Sequence, residues 1–180
     1  GQTSRIHTYA AGLAANGGLV VWLHGDGAYE FNNPSSTYIM GGTNGVRNAC
    51  KNRGFVLVNA LAPDTSGAVT WWENGMTKAN YLKALLDAMT AGYGTRPGRV
   101  CVAGFSGGAQ QTTQFFMRAY PEYFAGGGLT CVVGGGEAPD VTPTYSAAVK
   151  TKLAMHWAAG ERDTAAVLAG MYDAIEFRGA

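Results

Sequence analysis

Gly104-Phe105-Ser106-Gly107-Gly108 lies between an apolar run, residues 100–103, and a helix-like stretch that starts at Ala109. This order predicts a strand, a tight turn and a helix. A strand that turns directly into a helix strains the backbone of the central serine and crowds its neighbours, so residues 104 and 108 tolerate little beyond a hydrogen. The turn would project the Ser106 hydroxyl from the end of the strand, beside the positive end of a helix dipole.

Strands and helices alternate at short intervals on both sides of this turn. The alternation predicts one α/β domain over residues 1–180, with a mostly parallel sheet covered by helices on both faces. In such sheets, functional residues collect at the carboxyl ends of the strands. The predicted strands are 5–9, 19–23, 55–61, 99–105, 124–133 and 153–159, and the predicted helices are 43–53, 76–89, 107–120 and 164–178.

The composition argues against two kinds of partner. A formal net charge of +1, with 14% charged residues and no basic cluster, is not typical of a protein that binds nucleic acid through charge. No apolar run is long enough to span a membrane. The three cysteines, Cys50, Cys101 and Cys131, lack metal-ligand spacing. We expect Cys101 and Cys131 to be free thiols in core strands, whereas Cys50 is free or pairs with a segment outside this sequence.

Three features follow one another along the chain, each at the end of a predicted strand. His24-Gly25-Asp26-Gly27 follows an early strand, Ser106 a central one and Gly160-Glu161-Arg162-Asp163 a late one. This order resembles the oxyanion loop, nucleophile and acid of the α/β-hydrolases. Within that fold, the chain is similar to the polyhydroxybutyrate-depolymerase-like and feruloyl-esterase-like serine esterases. The similar segments are Val21-Trp22-Leu23-His24-Gly25, Gly54-Phe55-Val56-Leu57-Val58, Gly104-Phe105-Ser106-Gly107-Gly108-Ala109 and Tyr120-Pro121-Glu122-Tyr123-Phe124-Ala125.

The resemblance implies catalytic roles for four of these residues. Ser106 would attack a carbonyl carbon and form an acyl-enzyme. The backbone N–H groups of Gly107 and Asp26 would donate to the developing oxyanion. Asp163 would hold the catalytic histidine in its working tautomer. The structural alternative for Asp163 is to cap the helix that begins at Thr164.

The resemblance also implies a substrate region and leaves alternatives open. Trp71, Trp72 and Gly27 would contact a small-molecule or polymeric ester, although the two tryptophans can equally cover the edge of the core. Glu137 and Asp140, after residue 133, are rival acids. No metal or organic cofactor is implied. The low charge and the resemblance favour an exported protein, with the compartment otherwise open.

The general base is the part that this sequence does not supply. In the fold that the chain resembles, a histidine follows the acid, and no histidine follows His156 here. We expect His24 to brace its own loop, His156 to lie inside its strand and His7 to lie earlier in the sheet. The sequence therefore predicts an α/β-hydrolase domain that is incomplete at its C-terminal end. The last strand and the histidine loop would then come from a cleaved segment, a second chain or a longer protein, and residues 153–159 would form an exposed sheet edge.

Two other functions remain open at this point. One is a non-catalytic module of the same fold that binds ligands in its cleft. The other is an acyltransferase, which shares the acyl-enzyme and differs in the acceptor that attacks it. Turnover of an activated ester separates the esterase from the binding module, and dependence on an acceptor separates it from the acyltransferase.

Overall fold

The computed structural model describes residues 2–63, 67–96, 98–141 and 143–179. Within these ranges, six strands form one sheet with the order β1-β3-β2-β4-β5-β6. All neighbouring strands are parallel except β1, which is antiparallel to β3. The strands are β1 (Ile6–Tyr9), β2 (Leu19–Leu23), β3 (Val56–Ala60), β4 (Val100–Phe105), β5 (Gly128–Val133) and β6 (Leu153–Ala158).

Helices cover both faces of this sheet, as the alternation of elements predicts. The central strands β2 and β3 are buried at every position, since helices exclude water from both of their faces. The long helix α3 packs Leu82, Leu85 and Leu86 into the core on one face. The helices are α1 (Tyr29–Asn32), α2 (Val46–Asn52), α3 (Gly75–Tyr93), α4 (Gly107–Gln110), α5 (Met117–Ala119), α6 (Ala147–Lys152) and α7 (Ala165–Gly179).

Two elements differ from the sequence-based prediction. The strand predicted from residue 124 begins only at Gly128, because Phe124 is buried in a turn and Gly127 and Gly128 have φ values of 104° and 147°. The helix predicted over 107–120 is continuous but widens into π-helical hydrogen bonding over Gln111–Phe116, between α4 and α5. Widened helical turns of this kind are common near functional sites.

The sheet has a half-exposed strand at one edge. In the described part of the chain, β6 pairs only with β5, and Ala154 and His156 are exposed. Cys50 and Cys101 are buried and Cys131 is half-buried, all three as free thiols, which confirms the expectation for Cys101 and Cys131. None of the helices in the described ranges combines the length and the apolar character that crossing a bilayer requires.

Candidate active site

Ser106 occupies a strained turn between β4 and α4. Its φ of 51° and ψ of −113° lie in a region that residues with a side chain rarely adopt. The Ser106 N–H donates to the carbonyl oxygen of Val133 at 2.9 Å, and the Ser106 carbonyl oxygen accepts from the N–H of Gln110 at 3.0 Å. The turn is therefore tied both to the end of β5 and to the first turn of the following helix.

The glycines on either side of Ser106 are required by close backbone contacts. A Cβ at Gly104 would lie 2.3 Å from the carbonyl carbon of Gly108, and a Cβ at Gly108 would lie 2.3 Å from the carbonyl oxygen of Leu23. Real Cβ atoms do not approach backbone so closely. The prediction that residues 104 and 108 tolerate only hydrogen is confirmed.

The loop after β2 leaves one of its amides without an acceptor. The Gly25 N–H donates to Glu30 Oε2 at 3.0 Å, and the Gly27 N–H donates to the carbonyl oxygen of Ala68 at 3.2 Å. Between them, the Asp26 N–H donates to no residue in the described part of the chain. The N–H of Gly107, the first residue of α4, is likewise unused within the described ranges. Two amides near Ser106 are thus available to an oxygen of a ligand.

His24 is a neutral structural side chain. Its ring is fully buried, Nε2 accepts from the N–H of Ala62 at 3.0 Å, and Nδ1 lies 2.6 Å from the carbonyl oxygen of Gly25. Because Nε2 accepts, the proton sits on Nδ1 and is donated to Gly25. Burial lowers the pKa of His24 to about 4. Both ring nitrogens are engaged, so His24 braces its loop, as expected from the sequence.

The two tryptophans have different surroundings. Trp71 is fully buried in the core, with its ring 5.7 Å from that of His24 and 6.4 Å from that of Tyr81. The expectation that Trp71 contacts the substrate is therefore corrected, because no part of its side chain reaches solvent. Trp72 is 38% exposed, and its Nε1 donates to Asp26 Oδ2 at 2.9 Å.

Ser106 lies in an open cleft between the loop after β2, the loop after β5 and the first turns of α7. One wall is formed by Asp26 and Trp72. On another wall Gln110 Nε2 donates to Glu137 Oε2 at 2.5 Å, and the Glu137 N–H donates to Thr113 Oγ1 at 2.8 Å. The lining residues are Asp26, Trp72, Ser106, Gly107, Gln110, Gly134, Gly135, Gly136, Glu137, Ala166, Val167 and Gly170. Gly27, expected to contact substrate, is not among these residues, and it adopts a φ of 81° in the turn.

Asp163 lies in the loop after β6, beyond the residues that line this cleft. Its Oδ2 accepts from the N–H of Gly160 at 2.7 Å, and its own N–H donates to the carbonyl oxygen of Gly160 at 3.0 Å. The cap of the following helix is Thr164, whose Oγ1 accepts from the N–H of Val167 at 3.4 Å. Asp163 therefore closes a turn and does not cap α7, which corrects that alternative.

The two rival acids, Glu137 and Asp140, lie in different surroundings. Glu137 lines the Ser106 cleft, whereas the Asp140 carboxylate lies 3.7 Å from the Arg118 guanidinium and is not among the lining residues. Of Asp163, Glu137 and Asp140, only Glu137 is among the described residues that line the cleft. Asp163 precedes the lining residue Ala166 by three positions.

No histidine in the described ranges lines the cleft. His7 Nε2 lies 3.1 Å from the carbonyl oxygen of Phe31, and the two rings stack at 4.3 Å. His156 lies within β6 opposite Cys131. Nor do the described residues include a group of three metal-binding side chains that could hold a metal ion. The base that Ser106 would need is not supplied by any of the three histidines as they are placed here.

Two supporting residues carry no signal in the sequence. Glu30 is buried in the short helix α1, which the pattern does not predict, and its carboxylate fixes the loop before it through Gly25. Gln110 acts through Glu137, 27 residues away, so no local pattern reveals the pair. The fold brings Glu137 to Gln110, four residues after Ser106, and buries Glu30 against Gly25 in the loop after β2.

No protein-family model and no curated protein matches this chain. Solved structures do match. A carboxylesterase from Bacillus cereus is 13% identical, with a TM-score of 0.67 over 98% of this chain and 79% of that one. An acetyl xylan esterase from Aspergillus awamori is 21% identical, with a TM-score of 0.55 over 74% of this chain and 47% of that one. A carboxylesterase from Mesorhizobium loti is 13% identical, with a TM-score of 0.54 over 97% and 92%. These proteins share the α/β-hydrolase fold, and this chain has the same fold.

Proposed function

We propose that this chain is the catalytic part of a serine hydrolase that cleaves carboxylic esters through an acyl-enzyme on Ser106. The observation that carries the proposal is the strained backbone of Ser106, with φ at 51°, held by glycines that no larger residue can replace. Strain of this kind costs of order 1–3 kcal/mol, persists only where the surrounding structure enforces it, and is found most often at active sites.

In the proposed reaction, Ser106 Oγ attacks the carbonyl carbon of the ester while its proton passes to a base. The tetrahedral intermediate then expels the alcohol, which leaves with that proton, and water releases the acid in the reverse sequence. The unused amides of Gly107 and Asp26 would bind the oxyanion. A donor of this kind is worth on the order of 3–4 kcal/mol in acyl transfer.

The acid and the base of the proposed reaction have different sources. Asp163 follows β6, where the resemblance places the acid, and Glu137 lines the cleft as its rival. We assign the role to Asp163 and a substrate-contacting role to Trp72. The general base would come from outside these 180 residues, because none of the three histidines lines the cleft in the described ranges.

The similar structures support an ester substrate in general terms. They are two carboxylesterases and an acetyl xylan esterase, and the chain spans 47% of the latter. The lack of a histidine among the described residues of the cleft favours the second candidate, a non-catalytic module of the same fold. An acyltransferase would use the same serine and amides with a different acceptor.

Release of 4-nitrophenol from 4-nitrophenyl acetate tests the proposal. Together with the segment or partner that supplies the base, the chain is expected to release a burst of about one equivalent per Ser106, followed by slow turnover, and Ser106→Ala is expected to abolish both phases. A rate equal to that of Ser106→Ala would identify a binding module. Turnover that rises only on addition of an alcohol or amine acceptor would identify an acyltransferase.

A further inference from the structure

The carboxylate of Asp26 is held in place on one wall of the Ser106 cleft. Its Oδ2 accepts from the indole N–H of Trp72 at 2.9 Å, a bond that joins residues 46 apart in the sequence. Asp26 belongs to the loop after β2, and Trp72 precedes α3. Since an indole offers one donor in a fixed direction, this bond restricts both side chains. Trp72 thereby becomes a defined wall of the cleft.

The second oxygen of the same carboxylate lies against the start of α4. A Cβ at Gly107 would lie 2.3 Å from Asp26 Oδ1 and 3.1 Å from Trp72 Cδ1. Only a glycine leaves room for the carboxylate at this point. The negative charge of Asp26 is therefore adjacent to the residue whose amide would bind the oxyanion.

No positive side chain balances this charge among the described residues that line the cleft. Among the described lining residues, the ionisable ones are Asp26 and Glu137, with no Lys, Arg or His. Glu137 accepts from the Gln110 amide, which is uncharged. A concave site lined by charge of one sign raises the local concentration of opposite charge and excludes like charge.

We propose that the Asp26 side chain determines specificity at this cleft: it fixes Trp72 as a wall and excludes anionic ligands, so that uncharged and cationic groups are selected. As a statement about substrates this rests on the proposed esterase function, whereas the selection by charge does not. The two groups of Asp26 then act separately. Its backbone amide donates to the oxyanion, and its carboxylate excludes negative charge from the rest of the ligand.

A matched pair of esters tests selection during turnover. We compare kcat/KM for 4-nitrophenyl butyrate, which is neutral, and 4-nitrophenyl hemisuccinate, which is anionic, in the wild type and in Asp26→Asn. The asparagine keeps an acceptor for Trp72 and removes the charge. The ratio of anionic to neutral ester is expected to rise about tenfold in low salt and less in 1 M salt. Any effect of the charge on the oxyanion is common to both esters and cancels in the ratio.

The control for this comparison is Asp87→Asn, which removes a carboxylate from the exposed face of α3, where Asp87 pairs with Lys83. Its ratio is expected to equal that of the wild type. An unchanged ratio in Asp26→Asn, or the same rise in Asp87→Asn, would overturn the proposal.

Fluorescence quenching tests the same charge without any catalysis. The difference between the wild type and Trp72→Phe isolates the emission of Trp72, which is 38% exposed. When the quenching by each ion is divided by its quenching of N-acetyltryptophanamide, caesium is expected to quench this emission more strongly than iodide, and in Asp26→Asn the preference is expected to vanish. Equal normalised quenching by both ions in the wild type would contradict the proposal. If the quenching follows the charge while neither ester is cleaved, the esterase assignment fails and the selection against anions stands.

Discussion

The carboxyl ends of β4 and β6 lie on the same side of the sheet because the strands are parallel, yet the residues that follow them are held in different ways. At the end of β4, Ser106 is fixed by backbone hydrogen bonds to two elements and by glycines in contact with neighbouring backbone. At the end of β6, Asp163 is fixed by hydrogen bonds to Gly160 within one turn. β4 is buried at five of its six positions, whereas β6 has no fully buried residue.

This difference shows which part of a catalytic arrangement can be read from a short motif. The position of Ser106 follows from steric contacts that only particular residues allow, and those residues are the motif. The position of Asp163 follows from a local loop that many sequences can form. We therefore expect substitutions on the β4 side to have large effects on the free energy of unfolding and those on the β6 side to have small ones.

The largest effect on the free energy of unfolding is expected at Gly108. Gly108→Ala would place a methyl group 2.3 Å from the carbonyl oxygen of Leu23, so the backbone must shift. The free energy of unfolding is expected to fall by about 3 kcal/mol. The matched control is Gly92→Ala in α3, where a Cβ meets nothing within 4 Å. This control is expected to gain about 0.5–1 kcal/mol. Similar urea midpoints for the two variants would contradict the steric account of the turn.

The next effect concerns His24, which supports the loop beside the serine. Its pKa is lowered from 6.5 to about 4 in the folded protein because the ring is buried. As the pH falls through this window, the unfolded chain takes up the proton first, so stability is present above pH 6.5 and lost toward pH 4. The loss is expected to be about 3 kcal/mol.

Urea unfolding of the wild type and of His24→Gln between pH 7 and pH 4 checks this prediction. The variant is expected to be less stable at pH 7 and to show a smaller loss on acidification. An equal loss in both proteins would show that other groups cause the acid sensitivity.

A smaller effect of opposite sign is expected at Ser106 itself. Ser106→Gly relieves the strain at φ 51° and is expected to raise the free energy of unfolding by about 1 kcal/mol while abolishing ester cleavage. Ser106→Ala removes the hydroxyl but keeps a Cβ, so it is expected to lose activity without the gain in stability. Thermal unfolding of both variants makes the comparison. A gain in Ser106→Ala equal to that in Ser106→Gly would contradict the assignment of strain.

The smallest effect is expected on the β6 side. Asp163→Ala removes the bond to the Gly160 N–H and is expected to cost about 1 kcal/mol of stability, whereas Asp163→Asn keeps an acceptor and is expected to cost less. Urea unfolding measures both. If Asp163→Ala lost as much free energy of unfolding as Gly108→Ala, the expected difference between the two strand ends would be contradicted.

Most of the fold could be predicted from the sequence because it depends on local patterns. The buried runs of β2, β3 and β4 and the apolar stripe of α3 follow from residue spacing. The start of β5 was misplaced, since the turn over 124–127 contains apolar residues that look like a strand.

The candidate site was predicted less completely, because its contacts link distant segments. The Ser106 turn and its glycines carry their own signal. Trp71 is buried beside His24 and Trp72 donates to Asp26, and a pair of adjacent tryptophans in the sequence reveals neither contact. The pairing of Gln110 with Glu137 depends in the same way on where β5 ends.

Reaction with a fluorophosphonate, followed by intact mass spectrometry and peptide mapping, tests the central claim most directly. For the chain together with the segment or partner that supplies the base, we expect one adduct per chain, located on Ser106, with none on Ser106→Ala. An unlabelled but folded wild type, under conditions in which a known serine esterase reacts completely, would contradict the assignment of Ser106 as a nucleophile.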